Sequence, residues 1–225
     1  MTDNNALEES AIILFTRTPV AGEVKTRLSP CLSSAERAQL QAAFIKDIVN
    51  VSLSSGFKLY VYHAPTKDIS LLKECLPNGL QTAPQTGESM GERMFNAFSE
   101  VLKKHTKCIL VGSDIPRLKT EFITAAFAKL SDHDMVIGPA DDGGYYLLGL
   151  KKAERALFSL ECYGSDNVLH LTLEAAKSLG LSSAAMETCS DVDVEEDLRK
   201  LADDIKKGLV CAPETSKFLK SSGWI

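Results

Sequence analysis

The sequence predicts an α/β fold in three layers, with a mostly parallel sheet that helices cover on both faces. Short apolar runs typical of buried strands alternate along the chain with longer segments of helical periodicity. The main polar clusters follow strands, and the carboxyl ends of parallel strands meet at one edge of a sheet, where ligands bind. With 225 residues, 44% of them hydrophobic, we expect residues 1–225 to form one domain, although two small domains fit the same length.

Seven short runs are predicted as strands. The first is continuously apolar, the second alternates between apolar and polar residues, and the third is a weak candidate just after the turn residues Asn78 and Gly79. The predicted strands are residues 11–15, 57–63, 80–83, 108–111, 135–137, 145–150 and 184–186.

Seven segments are predicted as helices. Ser33 and Glu36 have the spacing of a capping box at the start of the first helix, and Gly56 lies just past its end. Ser165 is the predicted cap of the fifth helix. The predicted helices are residues 33–54, 66–76, 88–105, 120–130, 165–179, 195–207 and 214–219.

Composition and charge exclude several classes of protein. The net charge is −5 and no long basic tract occurs, so nucleic acid is not an expected partner. No apolar run approaches the roughly 20 residues of a membrane span, and residues 1–10 lack the pattern of a secretory signal. The cysteines form no CxxC pair, which favours reduced thiols in a cytoplasmic protein. They are Cys31, Cys75, Cys108, Cys162, Cys189 and Cys211.

The segment after the first strand is a candidate phosphate-binding loop. Arg17, Lys25 and Arg27 are spaced irregularly around the turn residues Pro19 and Gly22. Cations neutralise phosphate oxygens, and the N–H groups of a glycine-containing loop can point at them. A merely solvated loop fits the same pattern, and the missing GxxxxGK[ST] spacing argues against a P-loop ATPase.

Three acids that follow strands are candidate metal ligands or capping residues. Asp114 lies between Gly112 and Pro116 after an apolar strand, which favours a carboxylate for Mg²⁺ or Mn²⁺ over a helix cap. Asp191 and Asp193 occupy alternate positions of an extended segment and can point the same way. Taken alone, Asp193 is more typical of a helix N-cap, and it becomes a second metal ligand only if it meets Asp114.

Two glycine-containing clusters are candidate substrate contacts. Asp142, Gly143 and Gly144 are typical of a hairpin turn between strands, and they also allow a carboxylate to reach a sugar hydroxyl or an incoming nucleophile. Gly87 and Arg93 lie at the start of the third predicted helix and can seat a base or ribose. Ordinary capping, with Arg93 paired to a neighbouring glutamate, explains that second cluster better on spacing alone.

Five motifs, in order along nearly the whole chain, resemble a bacterial family of GT-A-like proteins that bear the name glycosyltransferase. They are FTRTPVAGEVKTRL at 15–28, GESMGERM at 87–94, GSDIP at 112–116, GPADDGGYYL at 138–147, and DVD at 191–193 with EDL at 196–198. Relatives of that family include the molybdenum-cofactor nucleotidyltransferases and the phospholactate guanylyltransferases. The resemblance implies a Rossmann-like nucleotide-diphospho-sugar transferase (GT-A) fold with one nucleotide site.

Carried over by position, the resemblance implies a role for each motif. The residues implied at the nucleotide are Arg17, Gly22, Lys25, Arg27, Gly87, Arg93 and Asp114. The implied metal carboxylates are Asp114 and Asp193, the implied acceptor contacts are Asp142, Gly143 and Gly144, and the implied catalytic residues are Asp114, Lys25 and Asp142. The loop lacks the GGxSxRMG pattern of the molybdenum-cofactor enzymes, and GSDIP is not a strict DxD, so neither their substrate nor metal binding by two neighbouring acids carries over.

These residues predict a metal-dependent transferase that takes an activated nucleotide and a small-molecule acceptor, with Mg²⁺ or Mn²⁺ as cofactor. Attack at a sugar C1 with loss of a nucleoside diphosphate makes it a glycosyltransferase, which is the first hypothesis. Attack at the α-phosphorus with loss of pyrophosphate makes it a nucleotidyltransferase that uses a nucleoside triphosphate and a small phosphorylated acceptor. The third hypothesis is a nucleotide-binding protein without turnover.

Overall fold

The computed structural model describes residues 9–159, 163 and 166–225, and its centre is a seven-stranded sheet. The predicted roles of Ser165 and Cys162, and most of the polar segment 1–10, lie outside the described residues. The strands are β1 (Ser10–Thr16), β2 (Lys58–His63), β3 (Gln81–Pro84), β4 (Lys107–Gly112), β5 (Met135–Pro139), β6 (Tyr145–Leu150) and β7 (Ser183–Ala185).

The sheet is mostly parallel, as the sequence predicts. Its strand order is β3-β2-β1-β4-β6-β5-β7, with β1 parallel to both β2 and β4. Strand β6 runs antiparallel to both of its neighbours, so the turn between β5 and β6 lies at the same edge as the carboxyl ends of the parallel strands. This topology places every predicted polar cluster near one edge of the sheet.

Helices cover both faces of the sheet and complete the three layers. They are α1 (Ser34–Ser54), α2 (Ser70–Lys73), α3 (Met90–Val101), α4 (Thr120–Asp132), α5 (Val168–Ser178), α6 (Glu195–Lys206) and α7 (Pro213–Ser221). Alternate residues of β1 enter different cores: Ile12 and Leu14 pack with α1 and α4, and Ile13 and Phe15 pack with α3. Because both faces are buried, β1 is a continuous apolar run instead of an alternating one.

The second predicted helix is much shorter in the structure than the sequence suggests. Residues 66–76 were expected to be helical, but only α2 (Ser70–Lys73) is. Asp68 accepts hydrogen bonds from the Ser70 N–H at 2.8 Å and the Ser70 hydroxyl at 3.0 Å, so this side chain fixes the start of the helix. Pro77 follows directly after the predicted end and disfavours helical backbone before it.

The third predicted helix, 88–105, is trimmed at both ends. Its N-cap is Ser89, whose hydroxyl accepts a hydrogen bond from the Glu92 N–H at 3.2 Å, and the regular helix ends at Val101. The apolar face of the helix predicts that the helix exists. The position of its C-terminal end is harder to predict, because turn residues continue past Val101.

A third apolar core lies outside the sheet and joins α1 to the C-terminal helices α6 and α7. The buried Asp47 of α1 accepts hydrogen bonds from the backbone N–H groups of Glu214 and Thr215, both at 2.9 Å, and from the Thr215 hydroxyl at 2.7 Å. Asp47 therefore caps α7 from another helix. Among the described helices, none combines the length and apolar character that crossing a bilayer needs.

We predict that Asp47→Ala lowers the free energy of unfolding by about 2–4 kcal/mol, because it leaves two N–H groups and one hydroxyl without an acceptor. Urea denaturation measures the loss, and limited proteolysis should release the C-terminal helix early. Asp132→Ala, at the exposed end of α4, is the matched control and should stay within about 0.5 kcal/mol of the wild type. Equal stability of the two variants would contradict the capping role.

Candidate functional site

The segment after β1 is a tight loop that turns one lysine inward. Val24 and Leu28 on either side are buried, and Gly22 (φ 89°) makes the preceding turn. Between the two apolar residues, Lys25 has φ 48° and ψ 41°, a left-handed conformation that residues with a Cβ seldom adopt. Such strain persists only where surrounding contacts hold it, so the contacts of the Lys25 side chain are informative.

The Lys25 ammonium is buried and held by two hydrogen bonds and an ion pair. Its side chain is 3% exposed, and Nζ donates to the Val192 carbonyl at 2.7 Å and to Asp193 Oδ1 at 3.2 Å. Nζ also forms an ion pair with Asp114 Oδ1 at 3.1 Å, so two carboxylates balance its charge. The Phe44 ring, 5.7 Å from Nζ, adds a cation–π contact. The basic loop and both predicted acids, which are far apart in the chain, thus meet at one point.

Asp114 is positioned by a hydrogen-bond network at the end of β4, outside the N-cap position of α4. Ser113 Oγ accepts hydrogen bonds from Thr16 Oγ1 at 3.0 Å and from Gln41 Nε2 at 2.9 Å, and it donates to Asp114 Oδ1 at 3.4 Å. The Asp114 carbonyl accepts from the Val192 N–H at 3.0 Å, which holds the segment before α6 beside it. The alternative that Asp114 caps the following helix is wrong.

Asp193 does not cap α6, although its position in the sequence favours that interpretation. The N-cap residue is Val194, and the Asp197 carboxylate accepts hydrogen bonds from the N–H groups of Asp193 and Val194 at 3.1 and 3.0 Å. The Asp193 side chain turns to Lys25 instead and is 39% exposed, close to the 44% of Asp114. Asp193 therefore meets Asp114, the condition for it to be a second metal ligand, and that role stays a prediction.

These groups line a pocket of about 700 Å³ at the carboxyl ends of the parallel strands, a volume typical of small-molecule sites. The predicted site residues that line it are Arg17, Lys25, Arg27, Arg93, Asp114, Asp142, Gly144 and Asp193. Those that lie outside its lining are Gly22, Gly87 and Gly143. These three glycines have positive φ and shape the backbone next to the pocket, and their ligand contacts stay predictions.

Two arginines at the rim extend the positive charge of the loop. The Arg27 side chain is 74% exposed, and its Nη1 lies 3.5 Å from Asp193 Oδ2. Arg17 is also exposed. Exposed guanidinium groups beside a pocket are available for bidentate bonds to phosphate oxygens, in contrast to the buried Lys25 ammonium.

Arg93 is held by a backbone carbonyl, not by an acid. Its Nε donates to the Gly87 carbonyl at 3.0 Å, while the Glu92 carboxylate accepts from the Glu88 N–H at 2.8 Å. Within the described residues no ion pair joins Arg93 to either glutamate, so the predicted alternative of such a pair is wrong. Gly87, with φ 131°, thereby positions Arg93 at the pocket without lining it.

The turn between β5 and β6 is the hairpin that its glycines predict, and it also faces the pocket. The Ala140 N–H donates to the Gly144 carbonyl at 3.0 Å, and the Gly144 N–H donates to Asp142 Oδ1 at 2.9 Å. A Cβ at Gly143, which has φ 84°, would collide with the Asp166 carbonyl. These contacts confirm the hairpin interpretation. Asp142 and Asp166 both line the pocket, so the turn also brings acids to the site.

Sequence reasoning missed Gln41 and Asp166, two polar residues that line the pocket, and it did not single out a third, Gln85. Gln41 comes from α1 and Asp166 precedes α5. Gln85 follows β3 and begins the segment with Gly87 and Arg93 that is predicted to seat a base or ribose. Gln41 and Gln85 are almost completely buried. A polar residue at an apolar position of the helical period is the signal that identifies Gln41, because a buried amide needs hydrogen-bond partners.

Asp191, two residues before Asp193, is a half-buried acid with a raised pKa. Burial, and then the charges of Asp193 and Asp142, raise the pKa of Asp191 from 3.8 to about 6. The Lys25 ammonium opposes this shift but does not cancel it. The acids of this region therefore repel one another in the folded chain, which favours any additional cation that binds there.

A divalent cation fits the two carboxylates that share Lys25. Mg²⁺ and Mn²⁺ prefer oxygen ligands, and Mg²⁺ is usually held by one or two carboxylates together with substrate phosphates. Asp114 and Asp193 are partly exposed, which leaves them accessible to such an ion. Among the residues that the structure describes, no group of three or more His, Cys, Asp or Glu side chains forms a metal site. The metal stays a prediction.

The sequence of the chain matches a known protein family. A family model described as "Uncharacterized protein conserved in bacteria (DUF2064)" matches residues 48–165. The 2-phospho-L-lactate guanylyltransferase of Methanocaldococcus infernus is 29% identical over 148 residues, which are 66% of this chain and 64% of that one. The enzyme of the same name from Methanocaldococcus jannaschii is 26% identical over 192 residues, 84% of this chain and 81% of that one.

A solved structure supports the same fold. The crystal structure of a candidate nucleotide-diphospho-sugar transferase from Desulfovibrio desulfuricans G20 matches with a TM-score of 0.88 and 29% identity. The match covers 96% of this chain and 95% of that one. The predicted Rossmann-like nucleotide-diphospho-sugar transferase fold is thereby confirmed.

Replacing Lys25 tests whether its ammonium holds the site together. We predict that Lys25→Met lowers the free energy of unfolding by about 1–3 kcal/mol, because the Val192 carbonyl loses its donor and two acids lose their shared counter-charge. Mn²⁺ should restore part of this loss, and denaturation with EDTA or with Mn²⁺ measures both effects. Arg27→Met, at an exposed position, is the control and should change stability by under about 0.5 kcal/mol. A Lys25→Met variant as stable as the wild type would refute this role.

The raised pKa of Asp191 gives a pH-dependent stability with a defined sign. The pKa of this group is about 6 in the folded chain and 3.8 ordinarily, so the folded state binds more protons between these values. Its contribution to stability therefore decreases as the pH rises from about 4 to about 6 and is constant above that range.

We expect Asp191→Asn to be more stable than the wild type at about pH 7.5 in EDTA, because it removes a charge that burial disfavours, and the gain should vanish near pH 4. Urea denaturation at several pH values measures this difference. Asp132→Asn, far from the pocket, should follow the wild-type profile. A constant difference between Asp191→Asn and the wild type at every pH would show that the charge is not the cause.

Proposed function

The chain belongs to the bacterial family DUF2064, and from that premise we propose that it is a nucleotidyltransferase. It transfers the nucleoside monophosphate group of a nucleoside triphosphate, with GTP as the preferred donor, to a small phosphorylated acceptor. Relatives named as guanylyltransferases confirm the broader prediction of a transferase. Their names also favour nucleotidyl transfer over the glycosyl transfer that is the first hypothesis from the sequence. Nucleotide binding without turnover is the remaining alternative.

The observation that carries this proposal is the meeting of Asp114 and Asp193 at the Lys25 ammonium, inside a pocket with arginines at its rim. Partly exposed carboxylates next to exposed guanidinium groups form a centre that suits a polyphosphate with a divalent cation. Phosphoryl-type transfer needs mainly positioning and charge neutralisation, and these are what such a centre provides.

In the proposed reaction, a phosphate oxygen of the acceptor forms a bond to the α-phosphorus of the triphosphate, and the bond from that phosphorus to the bridging oxygen breaks, so pyrophosphate leaves. Arg17 and Arg27 hold phosphate oxygens, and Lys25 keeps the two acids in place. Asp114 and Asp193 would hold Mg²⁺ or Mn²⁺, which supplies charge neutralisation at the phosphates. Asp142, across the pocket, would accept a hydrogen bond from an acceptor that carries a hydroxyl group.

Two product assays separate the three hypotheses. With Mn²⁺ present, we expect pyrophosphate release from GTP with 2-phospho-L-lactate or another small monophosphate as acceptor, and no GDP release from GDP-sugars. Asp114→Asn should reduce turnover by about 10²-fold or more, because it weakens binding of the divalent cation that neutralises the phosphates. Asp132→Asn, on the exposed end of α4, should retain full activity.

Each other outcome identifies a different function. GDP release from a GDP-sugar with an added acceptor would contradict the proposal and support glycosyl transfer. A thermal shift with nucleotides but no turnover with any acceptor would support a binding protein. The absence of any shift with nucleoside triphosphates and with nucleotide-sugars, each with Mn²⁺, would refute all three hypotheses, because ligand binding to the native state must stabilise it.

A further inference from the structure

Gln85 lies over the ends of β1 and β2, on the other side of β4 from the hairpin that carries Asp142. It follows β3, and its backbone N–H donates to the His63 carbonyl at 2.8 Å. Its side-chain Nε2 donates to the Tyr62 carbonyl at 3.0 Å and more weakly to the Thr16 carbonyl at 3.4 Å. The residue is 6% exposed and lines the pocket. The side chain is therefore fixed in place over β2 and β1.

These contacts determine which way the Gln85 amide points. Two backbone carbonyls on one side require the NH₂ group there, since a flipped amide would place its oxygen against two other oxygens. The opposite atom, Oε1, accepts no hydrogen bond from the residues that the structure describes. Among the described side chains, Oε1 is not one of the atoms that are completely buried without a partner, so it is accessible. Because Gln85 lines the pocket, we infer that Oε1 faces it. Gln85 thus presents one fixed acceptor to a ligand.

The order of the strands indicates which part of a bound nucleotide would lie next to Gln85 Oε1. Along the sheet, the hairpin with Asp142 lies beyond β4, Asp114 follows β4 itself, and Gln85 lies over β1 and β2 on the other side. With the phosphates held between Asp114 and the loop after β1, the nucleoside extends toward β2 and the acceptor toward β6. Gln85 Oε1 is therefore at the nucleoside end.

We propose that Gln85 is a specificity-determining residue that reads the base, its Oε1 accepting a hydrogen bond from the N–H edge of guanine. This inference rests on the proposed function. Guanine offers two adjacent donors on that edge, N1–H and the N2 amine, whereas N1 of adenine is an acceptor. A site with a buried and fixed acceptor discriminates against a base that leaves it unpaired.

The test uses the wild-type protein with guanine analogues, so it does not depend on whether a variant folds. Inosine triphosphate lacks the N2 amine, and 1-methyl-GTP lacks the N1 proton. With Mn²⁺ present, we expect at least one of the two to bind about tenfold more weakly than GTP, the effect of one lost hydrogen bond. Equilibrium titration and thermal shift give the dissociation constants, and ATP should also bind more weakly than GTP.

Variants then assign the discrimination to one residue. Gln85→Met should bind GTP, the weaker analogue and ATP with nearly equal affinity, because the acceptor is gone and the phosphate contacts remain. Gln41→Met is the matched control: Gln41 is an equally buried glutamine of the pocket, but its Nε2 contacts Ser113 beside Asp114. It should weaken all triphosphates by similar factors and keep the preference among bases.

The outcomes separate this inference from the proposed function. If triphosphates bind but GTP, both analogues and ATP bind alike, or if another base is preferred, base reading by Gln85 is refuted and nucleotide binding stands. The inference is equally refuted if Gln85→Met binds GTP and keeps the wild-type preference. If no triphosphate binds the wild type, the proposed function fails and this inference fails with it.

Discussion

The site depends on one buried ammonium group that joins three distant parts of the chain. Lys25 connects the loop after β1 to Asp114 at the end of β4 and to Asp193 before α6. Removing a charge from water and holding Lys25 in a left-handed conformation both cost free energy, which two hydrogen bonds, two ion pairs and a cation–π contact offset. Because the buried ammonium already contacts both acids, we propose that Lys25 positions them and that the exposed arginines contact the phosphates.

The antiparallel strand β6 gives the pocket its second half. Because β6 is antiparallel to β4, it begins at the edge of the sheet where β4 ends. The hairpin that precedes β6 therefore lies at this edge and brings Asp142 to the pocket. In the proposed function, the pocket has a nucleoside end over β2, a phosphate centre between β1 and β4, and an acceptor end at the hairpin. This arrangement suits a reaction in which two substrates meet at a phosphate group.

Local signals predicted the elements of the fold, because burial on both faces leaves an apolar run such as β1, and an apolar face marks α3. They also predicted that acids and cations gather at one edge of the sheet. Local signals could not predict the shortening of 66–76 to α2, where the hydrogen bonds that Asp68 accepts from Ser70 compete with the helix. The same limit applies to Asp193, whose cap-like sequence context conceals a long-range contact with Lys25, and to Gln85, whose importance depends on carbonyls of other strands.

A crystal structure with Mg²⁺ and a non-hydrolysable GTP analogue would show whether the triphosphate binds between the two acids and the loop after β1. We expect one Mg²⁺ ion held by Asp114, Asp193 and a phosphate oxygen. We also expect Arg17 or Arg27 on the phosphates and Lys25 still in contact with both acids. A nucleotide bound outside the pocket, or a metal ion that contacts neither carboxylate, would contradict this expectation.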